Sequence, residues 1–132
     1  MSHLPVVAVV NTNPDMVELL KTRIEQAGFV VLVIHTSEIR AGLDLGGVLE
    51  QHDPKVIVYD VPMPYDRNWR LLQHLRETML DGRQLVITTP NEEGIRRLVG
   101  RDDKVFEILD DGVDIDAIVQ AVREAARARP TR

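Results

Sequence analysis

The stretch VYDVPMPYD, Val58 to Asp66, decides how this chain is read. It completes the run Val56-Ile57-Val58-Tyr59, whose β-branched and aromatic residues show no polar alternation, as expected of a strand covered on both faces. The run stops on a carboxylate, Asp60, and Pro62 and Pro64 follow almost at once. An acid at the end of a buried strand, followed by a turn that proline restricts, sits at the edge of a sheet with its loop held beside it.

Apolar runs of the same kind recur on either side, separated by amphipathic stretches. Pro5 to Asn11 (PVVAVVN), Val30 to His35 (VVLVIH), Gln84 to Thr89 (QLVITT) and Lys104 to Leu109 (KVFEIL) read as four further strands. Between the first two, NPD starts a helix, Met16, Val17, Leu20, Ile24 and Ala27 form its apolar stripe, and Gly28 ends it. A weaker helix, diluted by Gly42, Gly46 and Gly47, precedes Val56. Trp69, Leu72, Leu75 and Met79 give a third, stopped at Asp81-Gly82. Ile95, Leu98 and Val99 face inward on a short fourth, and Ile115, Ile118, Val119 and Val122 mark the fifth. Strands joined by crossover helices run parallel with right-handed connections. The expectation is an α/β fold: one doubly wound, five-stranded parallel sheet of order 2-1-3-4-5, flavodoxin-like, with five helices.

Length and composition agree. The chain has 132 residues, the size of one domain, and 44% hydrophobic with 28% charged residues is ordinary for a folded globular protein. Positions 5–127 are read as the domain and 128–132 as a basic, solvated C-terminal tail. There is no cysteine, which excludes disulfides, thiolate-bound zinc and iron–sulfur clusters and fits a reducing cytoplasm. The opening MSHLPVVAVVNTNPD has no basic leader, and its apolar run is too short for a membrane span. A net charge of -5 argues against nucleic acid as a partner.

In sheets of this kind chemistry gathers at the carboxyl ends of the strands. The residues there are Asn11, Thr12 and Asn13, then Asp60, then Thr88 and Thr89, and finally Asp110 and Asp111. Read without any family, Asn11, Asn13 and Asp15 cap the first helix, Asp110 and Asp111 form a turn, and Asp114 caps the last helix. His3, His35, His52 and His74 share no ligand spacing. Trp69 reads as a packing anchor.

From about Val6 to Ala126 the chain resembles the receiver domain of bacterial two-component response regulators. The resemblance rests on Asp60-Val61-Pro62-Met63-Pro64, which matches the family's strand-three aspartate followed by an apolar residue, a variable residue, Met and Pro. It implies that Asp60 is the phosphoacceptor position, that Thr88 and Thr89 are the phosphate-contact residues, and that the third helix begins near Asn68.

The sequence also departs from the family. Where receivers carry an acidic pair for Mg²⁺, this chain has Asn11 and Thr12, which with Pro62 make a degenerate metal position. Mg²⁺ favours carboxylate oxygen, and each lost unit-charge contact at about 4 Å is worth roughly 4 kcal/mol at an effective dielectric of ~20, before hydration is counted. Asp111 stands where the family has lysine, inverting the charge, or in an alternative register Leu109 does, and neither register supplies a lysine; Asp111 could instead turn inward to build a cation site with Asp60. Ile108 replaces the family's strand-five aromatic, with Phe106 two residues away on the same face.

These departures imply an atypical receiver, a pseudo-receiver, that is not an enzyme. It would work by protein contact without a cofactor or metal and without normal Mg²⁺-dependent aspartyl phosphorylation. The implied partners are a histidine kinase or an output protein, with the fourth helix, fifth strand and fifth helix as the contact or homodimer face. The alternative is a phosphorylatable receiver that uses Asp60 with a weakened Mg²⁺ site. A flavodoxin-like cofactor-binding protein needs a glycine-rich phosphate loop after strand one, and Asn11-Thr12-Asn13-Pro14 supplies none. No G-x-S-x-G elbow supports a triad hydrolase.

Overall fold

The computed structural model describes residues 4–77, 82–100, 105–110, 112 and 114–128. Five parallel strands form one sheet: β1 (Val6–Asn11), β2 (Val30–His35), β3 (Val56–Asp60), β4 (Gln84–Thr89) and β5 (Val105–Asp110). Their order is β2-β1-β3-β4-β5, as expected. The central strands β3 and β4 are buried along their whole length, because helices cover both faces.

Two apolar layers result from the alternation of side chains along each strand. On one face Ala8, Val10, Ile57, Tyr59, Leu85 and Ile87 pack with Leu49, Trp69, Leu72 and Ile95. On the other, Val7, Val9, Val56, Val58 and Val86 meet Leu20 and Ile24 of α1 (Pro14–Gln26) and Ile118, Val119 and Val122 of the C-terminal helix. Val17, Leu20 and Ile24 are the fully buried members of the α1 stripe, while Met16 and Ala27 are only partly covered.

The weak second helix is two helices, α2 (Thr36–Arg40) and α3 (Leu45–His52), so the described residues contain six rather than five. Gly42, at φ +101°, adopts a backbone conformation that ends α2. Asp44 then caps α3 by accepting from the Gly47 N–H at 3.1 Å. The next helix, α4 (Tyr65–Leu75), starts three residues before the expected Asn68, because the Asn68 N–H already bonds the Pro64 carbonyl at 3.1 Å. Met79 and Asp81 lie outside the described residues.

In α5 (Glu92–Val99), Ile95 is buried and Val99 is partly covered, but Leu98 is 40% exposed. Its inward assignment fails: the covered stripe of the helix is carried by Ile95 and Val99, four residues apart, and Leu98 lies beside that stripe on the solvent side. The expected shared face of Phe106 and Ile108 also fails. A bulge shifts the β4–β5 register between Leu85/Val105 and Val86/Glu107, so Phe106 packs with the α1 layer while Ile108 packs with the opposite one. The chain closes with α6 (Ile115–Arg127), capped by Asp114, whose carboxylate accepts from the Asp116 N–H at 3.1 Å. Positions 129–132 of the basic tail are outside the described residues.

Candidate functional site

The carboxyl ends of β1, β3 and β4 meet at one corner. Asp60 pairs in register with Thr88, so both side chains leave the sheet on the same face. The Thr88 hydroxyl donates to Asp60 Oδ1 at 2.9 Å. The pair is buried, with Asp60 7% and Thr88 2% exposed. Val10 pairs with Tyr59, which brings Asn11, one residue on, beside Asp60 on that face.

Asn11 is buried and its Oδ1 accepts from the Asn13 N–H at 2.9 Å. Asn13 in turn accepts from the Asp15 and Met16 N–H groups at 3.0 and 3.3 Å, which makes it the cap of α1. The capping expectation therefore holds for Asn13, whereas Asn11 fixes the preceding turn and Asp15 adds favourable charge to the first helical turn. Thr12 is exposed.

The loop after Asp60 is tied down from a residue that sequence reasoning placed only by its position. Asn68 is 3% exposed, and its Nδ2 donates to the Pro62 carbonyl at 2.9 Å and to the Pro64 carbonyl at 3.2 Å. Its Oδ1 accepts from Arg40 at 3.2 Å. The Met63–Pro64 peptide is cis. A second tie comes from Thr89, whose hydroxyl donates to the Val61 carbonyl at 2.9 Å and accepts from the Asn91 N–H at 3.2 Å. Thr88 therefore turns toward Asp60, and Thr89 stitches the β3 and β4 loops together. Asp110 accepts from the Gly112 N–H at 2.8 Å, as a turn residue does. Asp111 and Lys104 lie outside the described residues, so both readings of Asp111 stand as expectations.

A magnesium site built from these groups fits poorly. Asp60 is the only carboxylate among Asn11, Thr12, Asp60 and Pro62, the Asn11 amide oxygen is already holding a turn, and the Pro62 carbonyl faces the Asn68 amide. Among the described residues no group of three His, Cys, Asp or Glu side chains could hold a metal ion. Mg²⁺ demands near-octahedral oxygen ligation and surrenders its water reluctantly. This donor set offers too little charge to replace that water.

Behind Asp60, on the other face of the sheet, stands Tyr59. It is 2% exposed, and its hydroxyl has no hydrogen-bond partner among the described residues. Burial pushes its pKa up to about 12; nearby Arg40 opposes the shift, and the charge of Asp60 adds to it. Because the folded state holds this proton more tightly than the unfolded chain, stability is complete below pH ~10 and falls as pH rises toward ~12, by roughly 2–3 kcal/mol in all. Tyr59→Phe is expected to flatten that loss. Since no hydrogen bond is given up, the variant should be at least as stable as wild type at neutral pH. Urea denaturation across the alkaline range will read both effects.

No protein-family model and no curated protein sequence matches this chain. Solved structures do. A response regulator from Thermotoga maritima superposes with a TM-score of 0.73 at 15% identity, covering 96% of this chain and 100% of its own. The E. coli RcsC C-terminus, containing a linker region and phosphoreceiver domain, gives a TM-score of 0.75 at 21% identity, covering 96% of this chain and 47% of its own. A response regulator protein from Burkholderia multivorans gives 0.65 at 18% identity, covering 98% and 100%. The doubly wound sheet with an acid at the end of its third strand thus has the fold of response-regulator receiver domains.

Proposed function

We propose that this chain is an atypical receiver domain of two-component signalling, a cytoplasmic module that works by protein contact and lacks normal Mg²⁺-dependent phosphorylation of Asp60. The observation that supports this most is the make-up of the corner itself. Asp60 keeps a hydroxyl neighbour, Thr88 at 2.9 Å, while the β1 end presents an amide and an exposed threonine where a metal-binding receiver needs acids. Phosphoryl transfer to a carboxylate relies on cations that neutralise developing charge, and without them the attack of Asp60 on a phosphodonor is slow. Under this reading Asp60 occupies the phosphoacceptor position and Thr88 is the residue beside any phosphoryl group. Thr89 organises the loop.

A histidine kinase or an output protein is the partner class that the fold suggests. The face made by α5, β5 and α6 is the surface proposed for it. That face carries the i,i+4 ion pairs Arg96–Glu92 and Arg97–Glu93 and the exposed Leu98, so it offers a charged rim with an apolar point.

Incubation with acetyl phosphate and Mg²⁺ followed by intact-mass measurement tests the proposal. The expected spectrum shows no phosphoryl adduct on wild type. An adduct that disappears in Asp60→Asn would overturn it in favour of a phosphorylatable receiver, the reading that the retained Asp60–Thr88 bond favours.

A further inference from the structure

The two edges of the sheet are built differently. At the β5 edge a bulge interrupts the ladder, Glu107 puts a charge on the strand, and Arg96 donates to the Ile108 carbonyl at 2.9 Å. Bulges, charges and covered carbonyls are how proteins keep an edge from pairing with another chain. The β2 edge has none of these. VVLVIH contains no acid, lysine, arginine or proline and pairs with β1 in unbroken register.

The direction of its backbone groups follows from one bond. The Val30 N–H donates to the Pro5 carbonyl at 3.0 Å, so Val30, Leu32 and Ile34 turn their N–H and C=O toward β1. Val31, Val33 and His35 therefore turn theirs outward. The His35 N–H is taken by Glu38 Oε1 at 3.0 Å, while the outward groups of Val31 and Val33 have no protein partner among the described residues. The side chains alongside are apolar on both faces, and Val30 is 46% exposed.

We propose that a second copy of this chain pairs with the β2 edge, antiparallel about a twofold axis at Leu32, to make one continuous sheet across two molecules. In that register Val31 of each copy faces Val33 of the other and exchanges both backbone bonds with it. Every outward N–H and C=O of these two residues is then satisfied, and Glu38 marks where the pairing stops. Leu32 meets its own counterpart and Val30 meets Ile34, so no like charges are opposed. The isologous contact closes on itself and does not propagate. It also leaves α5, β5 and α6 free, and it does not depend on the signalling role proposed above.

Sedimentation of the full chain over a concentration series, with amide hydrogen exchange on the same samples, tests this. The expected result is a monomer–dimer equilibrium, with exchange at Val31 and Val33 slowed about tenfold or more as dimer forms, while Val30, Leu32 and Ile34 stay protected throughout. Val33→Pro removes an outward donor without touching the β1 ladder and should leave a monomer. Val30→Lys, at a position already 46% exposed, places an ammonium at the apolar seam between the two copies and should weaken association by about tenfold even if the proline variant does not fold. A chain that stays monomeric at every concentration would overturn the proposal. So would a dimer in which Val31 and Val33 exchange freely, or one that Val30→Lys leaves unchanged.

Discussion

Replacing Asn11 and Thr12 together by aspartate is expected to raise Mg²⁺ affinity at the Asp60 corner by about 100-fold, close to 3 kcal/mol. Each new carboxylate near the ion contributes roughly 4 kcal/mol per unit charge at ~4 Å and an effective dielectric of ~20, and the reluctance of Mg²⁺ to lose water cancels much of that. The Asn11→Asp side chain keeps an acceptor for the Asn13 N–H, so the turn before α1 survives. Without metal, repulsion around buried Asp60 should lower the melting temperature, and added Mg²⁺ should restore it by mass action. Calorimetric titration of both proteins checks the affinity. Equal, weak binding would mean that the β1 end and Asp60 do not converge on one ion, and the electrostatic account of the site would fall.

The second large effect is expected at Trp69. It is 4% exposed and packs in the layer that holds Ile57, Tyr59, Leu72 and Ile87, directly after the Asn68 tie to the Asp60 loop. Trp69→Ala should cost about 3–5 kcal/mol, since it loses the transfer energy of the indole and leaves a cavity that the sheet cannot close. Trp69→Phe keeps most of the volume and should cost far less. Chemical denaturation measures both. A loss under about 1 kcal/mol in the alanine variant would contradict the burial and the reading of Trp69 as a packing anchor.

Much of this architecture was legible because it depends on local patterns. The runs VVAVV, VIVY and QLVITT read as strands covered on both faces because they are short, rich in β-branched residues and bounded by turn signals, and the spacing of Leu20 with Ile24, or Ile118 with Val122, needed no tertiary information. What stayed hidden depends on partners distant in sequence. Asn68 is an unremarkable polar residue until the fold places it under Pro62 and beside Arg40, 28 positions earlier in the chain. The bulge at Phe106 is a register decision made against β4, so strict alternation assigned that ring to the wrong layer. The three glycines after Arg40 signalled weakness, but whether that meant one frayed helix or two short ones was settled by Gly42 and the Asp44 cap. Of the site, the Asp60–Thr88 pair was anticipated from motif and strand ends. The loop-holding bonds of Thr89, named from the sequence only as a phosphate contact, became visible only with the fold, as did the burial of a Tyr59 hydroxyl that has no partner among the described residues.

The place of β1 in the sheet bears on how the chain emerges from the ribosome. Its neighbours are β2 and β3, so one whole side of Val7 to Val10 waits for residues that begin at Val56. Until those are synthesised and leave the exit tunnel, the nascent chain presents an apolar strand with a bare flank, the kind of surface that chaperones bind. Any truncation ending before Val56 leaves the polypeptide in that condition permanently.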